Sequence, residues 1–64
     1  MSQTRKIRAD KVTMGMVIFG AGRVVNITRT DGAIPGDTMF GFELADGPAA
    51  RYAAHWRKMV EVIR

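Results

Sequence analysis

The sequence contains no cysteine, only two prolines and a single histidine. Without cysteine the chain has neither a disulfide framework nor a thiolate zinc site to supplement its core. His55 also lacks nearby Asp or Glu residues at a spacing that would complete a metal site. We therefore expect a fold held by packing alone, with no metal and with His55 in a turn or at the surface.

Long apolar runs are missing as well. No segment approaches the roughly 20 apolar residues that a membrane span needs, and residues 1–11 are polar and charged, so we expect a cytoplasmic protein with no membrane partner. The 64 residues form at most one small domain, which buries only about 60% of the surface that the unfolded chain exposes. Such a domain has no room for a two-lobed cleft, so we expect no enzyme, no catalytic residues and no cofactor.

One glycine-rich stretch, Gly20-Ala21-Gly22, begins like the phosphate-binding pattern G-x-G-x-x-G. Val25 occupies the position of the third glycine, and β-branched residues follow where the phosphate site needs the start of a helix. The stretch therefore indicates a tight bend between two strands and not a nucleotide site.

Basic residues outnumber acidic ones by ten to six, which gives a net charge of +4. Four of the basic residues fall within the first eleven positions: Arg5, Lys6, Arg8 and Lys11. We interpret residues 1–11 as a basic arm, either solvated or in contact with an acidic partner or nucleic acid, and residues 12–64 as the folded domain.

The apolar residues occur in short runs separated by turn residues, which is typical of strands. Alternation is clearest in residues 38–45, where Phe40, Phe42 and Leu44 should share one face. The spacing of Val24 and Ile27 predicts a β-bulge between them. Five strands are predicted, at residues 16–19, 23–30, 38–45, 49–53 and 59–63.

The segment after the Asp46-Gly47 turn is ambiguous, because AARYAAHWRK also has the composition of a helix. We interpret it as a strand followed by one helical turn at residues 55–57. The predicted fold class is therefore all-β: a small five-stranded SH3-like (Tudor/KOW-like) barrel with a short helical turn before the last strand, which also hides most sheet edges.

The order of the motifs resembles the Tudor/SH3-like RNA-polymerase-interacting module that CarD-type transcription regulators share with the transcription-repair coupling factor. The likeness covers roughly residues 12–64; the helical DNA-binding domain of CarD has no counterpart in them, and the first turn is shorter and lacks the family's Pro and His. The phrase IRADKVTMGMVI is also similar to short accessory proteins of actinobacterial phages. The motifs that carry the resemblance are Gly15-x-Val17-x-Phe19, Gly20-x-Gly22-Arg23-Val24-Val25-x-Ile27, Phe42-Glu43-Leu44-Ala45-Asp46-Gly47, Arg51-Tyr52-Ala53-Ala54 and Val60-Glu61-Val62.

The resemblance implies a non-enzymatic module that docks on a larger protein, with RNA polymerase as the leading candidate. Docking in that family uses sheet-edge pairing supported by basic side chains, which would fall here on Arg29 and Arg51. From the residues alone, Trp56 either packs over the barrel end or is partly exposed and anchors a partner. Ile34, in the loop at residues 31–37, either folds back onto the core or contacts a partner.

Two alternatives remain open at this point. The first is nucleic-acid binding through Arg5, Lys6, Arg8 and Lys11 together with the barrel face. The second is self-association, because an open strand edge can pair with a second copy of the chain.

Overall fold

The computed structural model describes residues 3–64 as an almost entirely β structure. The strands form one antiparallel sheet in the order β1-β6-β2-β3-β4-β5, which leaves β1 and β5 at its two edges. In these residues, a 3₁₀ helix at Ala9–Lys11 is the only helical element. The strands are β1 (Thr4–Arg8), β2 (Val17–Ile18), β3 (Gly22–Asp31), β4 (Thr38–Ala45), β5 (Arg51–His55) and β6 (Met59–Ile63).

The all-β prediction is confirmed, and the bounds of β4 and β6 are those predicted from alternation. The predicted bulge is present, since the register between β3 and β4 shifts between Val24 and Asn26. The extra residue returns both Val24 and Ile27 to the face that carries Leu44 and Phe42, their register partners.

Residues 3–64 form six strands and not the five predicted. The additional strand, β1, lies within the predicted basic arm and pairs with β6 from Thr4↔Ile63 to Arg8↔Met59. Polar side chains at the exposed positions of β1 hide the strand pattern, because an edge strand needs few apolar residues. Residues 1 and 2 of the arm lie outside the described residues.

Three local predictions are wrong. The strand predicted at residues 49–53 lies instead at Arg51–His55. Residues 55–57 form no helical turn, because a turn closed by the Lys58 N–H and the His55 carbonyl (2.9 Å) leads from β5 into β6. The strand predicted at residues 16–19 shrinks to Val17–Ile18, and Phe19 is 56% exposed. Phe19 lies in the turn that follows β2, outside the strand, and its side chain is largely exposed there.

The core lies on the inner face of the sheet, where side chains of five strands meet. Phe42, Val24, Val60 and Val62 are each 1% exposed. Burial of a large apolar side chain of this kind contributes about 1.5–3 kcal/mol, so the four account for a large part of the stability of so small a domain.

The sheet is strongly curled, as its connections require. In a flat sheet β5 and β6 would lie four strand spacings apart, about 19 Å at roughly 4.8 Å each. Only residues 56–58 connect them, and the four steps from His55 to Met59 span at most about 14 Å. The sheet must therefore bend until β5 approaches β6. A contact between the segments that follow β1 and β5 agrees with this, since the Asp10 amide lies 3.4 Å from the Trp56 carbonyl oxygen.

The two glycine-containing turns pack directly on each other. A Cβ atom on Gly47 would lie 2.6 Å from the Gly22 Cα, and one on Gly22 would lie 2.8 Å from the Ala45 carbonyl oxygen. Gly22 also has a φ of 151°, which favours glycine. The turn between β4 and β5 therefore occupies the space beside Gly20-Ala21-Gly22, the stretch that begins like a phosphate-binding loop.

Candidate interaction site at the β5 edge and the Trp56 region

Strand β5 presents backbone hydrogen-bonding groups along the edge of the sheet. The Leu44 amide bonds to the Ala50 carbonyl and the Trp56 amide to the Thr38 carbonyl, each at 2.9 Å. Pairs in an antiparallel ladder alternate between bonded and non-bonded. Hence Tyr52 and Ala54 direct their backbone groups to β4, and the intervening residues 51, 53 and 55 direct theirs to the free edge.

Arg51 lies at the start of this edge and is exposed, as the sequence predicts. Its side chain is on the outer face, directly across from Glu43 in the register of β4 and β5. A strand added to β5 would therefore meet a positive charge at one end and the backbone groups of Ala53 in the middle.

Arg29 is also exposed, with 64% of its side chain accessible, but it occupies a different position. It pairs with Phe40, which pairs in turn with Ala54, so Arg29 lies on the inner face of the sheet. Its Nε donates to Asp31 Oδ1 at 3.1 Å.

Arg29 and Arg51 therefore do not form one site. Arg51 on β5 is opposite Glu43 on β4, and Glu43 is opposite Asn26 on β3, so these three residues form one row across the sheet. Asn26 precedes Arg29 by three positions along β3. An odd number of positions places two side chains on opposite faces of a sheet. A single partner strand at β5 contacts Arg51 and not Arg29.

Trp56 follows β5 and is half-buried. Its Nε1–H donates to the Gly36 carbonyl at 2.7 Å, which ties the β3–β4 loop to the end of β5. The guanidinium carbons of Arg8 and Arg57 lie 5.7 and 5.8 Å from the centre of the indole ring, within the range of cation–π contact. The indole thus both packs against the loop and remains part of the surface.

Ile34 lies in the β3–β4 loop and is 70% exposed. It lines a shallow surface depression together with His55 and Trp56. His55 Nε2 lies 3.6 Å from Asp37 Oδ1, a second contact between the loop and the end of β5. Of the four predicted partner-binding residues, Arg51 therefore lies at the start of β5 on the outer face, and Trp56 and Ile34 lie together near its end.

A cleft of about 300 Å³ opens on the inner face beside Trp56. It is lined by Arg29, Phe40 and Asp10 among others, so Arg29 joins Trp56 here and not at the β5 edge. The cleft is open to solvent and holds opposite charges, which suits a weak surface contact better than an enclosed ligand.

The carboxylate of Asp31 is the one group with a resolved pKa shift among the described residues. Its pKa is lowered from the ordinary value of 3.8 because Thr38 and Arg29 hydrogen-bond to the ionised form. The Thr38 hydroxyl donates to Asp31 Oδ1 at 2.8 Å. This shift belongs to a structural contact of the β3–β4 hairpin.

Groups suited to metal binding are not assembled in residues 3–64, where no three His, Cys, Asp or Glu residues cluster. Over the same residues, no helix combines the length and apolar character required to cross a membrane.

The basic residues of the predicted arm form an exposed surface on and after β1. Arg5, Lys6 and Arg8 are exposed on the strand and Lys11 is exposed at the end of the 3₁₀ helix. Sequence reasoning missed that three of these charges lie on a sheet edge. The available signal was Ile7, an apolar residue within a charged stretch, which is half-buried and packs against the core.

No protein-family profile, curated protein or solved structure matches the chain.

Proposed function

We propose that the chain is a non-enzymatic protein-binding module, an SH3-like barrel that docks on a larger protein through the β5 edge. The SH3-like assignment is supported by a single curled antiparallel sheet in which the last strand, β6, lies between β1 and β2. The short connection from β5 to β6 brings the two ends of that sheet together.

One observation carries the proposal: the two sheet edges differ in how well their side chains protect them against pairing with a strand of another chain. At β1, the residues whose backbone groups face outward include Lys6 and Arg8, and charged residues of this kind discourage strand pairing. At β5, the central outward residue is Ala53, which opposes a partner strand neither sterically nor electrostatically. The β5 edge is therefore the better template for strand addition.

The surface beyond β5 adds side-chain contacts to this backbone pairing. Arg51 can form an ion pair at one end, and Ile34 and Trp56 offer apolar surface at the other. Exposed apolar residues next to a tryptophan are suited to anchor a partner. The partner class is a protein with an accessible extended segment.

RNA polymerase is the first partner to test, since the resemblance to the CarD-type module implies docking on its β subunit. In that case the chain would act as a small regulator or host-interaction protein. Arg29 would contribute only if the partner also reached over the inner face to the cleft beside Trp56.

The experiment is binding of purified chain variants to purified RNA polymerase, followed by capture from cell extract with and without nuclease. Ala53→Pro removes an outward N–H without breaking a bond to β4, and Arg51→Glu reverses the edge charge. Both variants should lose the partner and keep the circular dichroism spectrum of the parent. Lys6→Pro is the matched control, because it removes an outward N–H from β1, and it should retain the partner.

Retention of the same partners by Ala53→Pro would contradict docking at β5. Loss of every captured protein on nuclease treatment would instead favour nucleic-acid binding, the second candidate function. The observation in its favour is that Arg8 and Arg57 flank Trp56, a combination of charge and aromatic surface that single-stranded nucleic acid uses. Such binding should weaken steeply with salt.

A further inference from the structure

We propose that the β1 edge is a second docking site, which takes an acidic extended peptide segment. The site consists of the outward backbone groups of β1 and the side chains beside them. Its backbone groups are not those of the β5 edge, and it does not depend on the function proposed for that edge. The two surfaces meet where the Arg8 guanidinium contacts the Trp56 ring.

The hydrogen-bonding pattern defines which groups are available. The Arg64 amide bonds to the Gln3 carbonyl at 2.8 Å and the Ala9 amide to the Lys58 carbonyl at 2.9 Å. Alternation along the ladder then directs the backbone groups of Arg5 and Ile7 to β6. The N–H and C=O groups of residues 4, 6 and 8 face the free edge.

The side chains at these outward positions set the charge of the edge. Thr4, Lys6 and Arg8 all lie on the outer face, because alternate residues of a strand share a face. Lys6 belongs to none of the ion pairs found within residues 3–64. Its register partner Glu61 instead accepts a hydrogen bond of 2.6 Å from the Thr4 hydroxyl.

The β1 strand of a second copy does not fit this edge. Antiparallel pairing of β1 with itself about its centre would place Lys6 opposite Lys6, and like charges directly opposite each other are destabilising. A partner strand with an acidic residue opposite Lys6 turns the same arrangement into attraction. An acidic residue opposite Arg8 would share that guanidinium with Asp10, whose Oδ1 lies 3.2 Å from Arg8 Nε, and with the Trp56 ring. The residue between these acids would lie beside half-buried Ile7 on the inner face and should be apolar.

The pattern that fits is therefore acidic, apolar, acidic in an extended segment. Nucleic acid would satisfy the charges but not the outward N–H and C=O groups, which match a peptide backbone. The described geometry thus favours a peptide over an oligonucleotide.

The test uses the full chain and a synthetic peptide that alternates glutamate with valine. Binding is followed by NMR, in which the amide signals of Thr4, Lys6 and Arg8 should shift and exchange more slowly with solvent. The amides of Arg5 and Ile7, which already bond to β6, should keep their exchange rates. A peptide with glutamine in place of glutamate should bind roughly 2- to 30-fold more weakly, the range for two exposed ion pairs.

Matched variants separate local pairing from general attraction. Lys6→Glu should weaken binding by roughly 2- to 30-fold, whereas Lys11→Glu, with the same change in net charge away from the strand, should weaken it much less. Ala53→Pro, which blocks the other edge, should bind the peptide as the parent does. A peptide methylated on the backbone nitrogens that face β1 should not bind.

Several results would overturn the inference. Equal effects of Lys6→Glu and Lys11→Glu, or binding that survives methylation, would show attraction without strand pairing. Tighter binding of a single-stranded oligonucleotide at the same residues would identify a nucleic-acid surface. Failure of the peptide to bind at all would leave Lys6 and Arg8 as protection of the edge only.

Discussion

Replacement of Gly47 by alanine should destabilise the fold by roughly 2–4 kcal/mol. The new methyl group would lie 2.6 Å from the Gly22 Cα and against the Ala21 carbonyl oxygen. That carbonyl accepts the hydrogen bond of the Ala49 amide at 3.0 Å, so the backbone cannot move aside without weakening it. The figure combines about 1–3 kcal/mol for overpacking with about 1 kcal/mol for the hydrogen bond.

The effect is large relative to the whole, because a domain of this size is stable by roughly 3–10 kcal/mol. The midpoint of thermal unfolding should fall by about 8–30 °C. Urea titration followed by the fluorescence of Trp56, the single tryptophan, measures the change directly.

Gly41→Ala is the matched control, since a Cβ there meets only the Thr28 carbonyl oxygen, at 4.0 Å. Neither Gly41 nor Gly47 has a left-handed φ, so alanine can adopt the native backbone conformation at both positions. Both substitutions also reduce the conformational freedom of the unfolded chain by the same amount. Gly41→Ala should be neutral or stabilising by up to about 1 kcal/mol. If Gly47→Ala is no more destabilising than Gly41→Ala, the two turns do not pack as described.

Two further predictions concern the core and the β3–β4 hairpin. Phe42→Ala should cost about 3–5 kcal/mol in urea unfolding, whereas Phe19→Ala should change stability by no more than about 0.5 kcal/mol; similar values would contradict the assignment of the inner face. For Asp31, whose folded-state pKa is lowered from 3.8, the stabilisation is present above the ordinary value and is lost as pH falls through the lowered value. Thr38→Val should raise the pKa of Asp31 in an NMR titration, and an unchanged pKa would show that the Thr38 hydrogen bond does not stabilise the ionised carboxylate.

Strands with a local pattern were predictable from the sequence. Residues 38–45 and 59–63 alternate in polarity, and each has one buried face, so the period of two fixes both their type and their bounds. The bulge was predictable for the same reason, because the spacing of Val24 and Ile27 breaks that period while both are apolar.

Features that depend on distant pairing were not predictable. Strand β1 is stabilised by β6 at the opposite end of the described chain, and its charged residues carry little strand signal. The faces of Arg29 and Arg51 follow only from the registers of β3, β4 and β5, which a bulge shifts by one position. Exposure of each arginine was therefore correctly expected, but their separation was not.

The position of β6 between β1 and β2 also determines when this protein can fold. At roughly 5–20 residues per second, the ribosome takes about 3–11 s to proceed from residue 4 to residue 59. During that interval β1 has been synthesised but its pairing partner has not. A nascent chain that stops before Met59 therefore leaves both β1 and β2 without their shared neighbour, and the sheet can close only after its last strand has emerged.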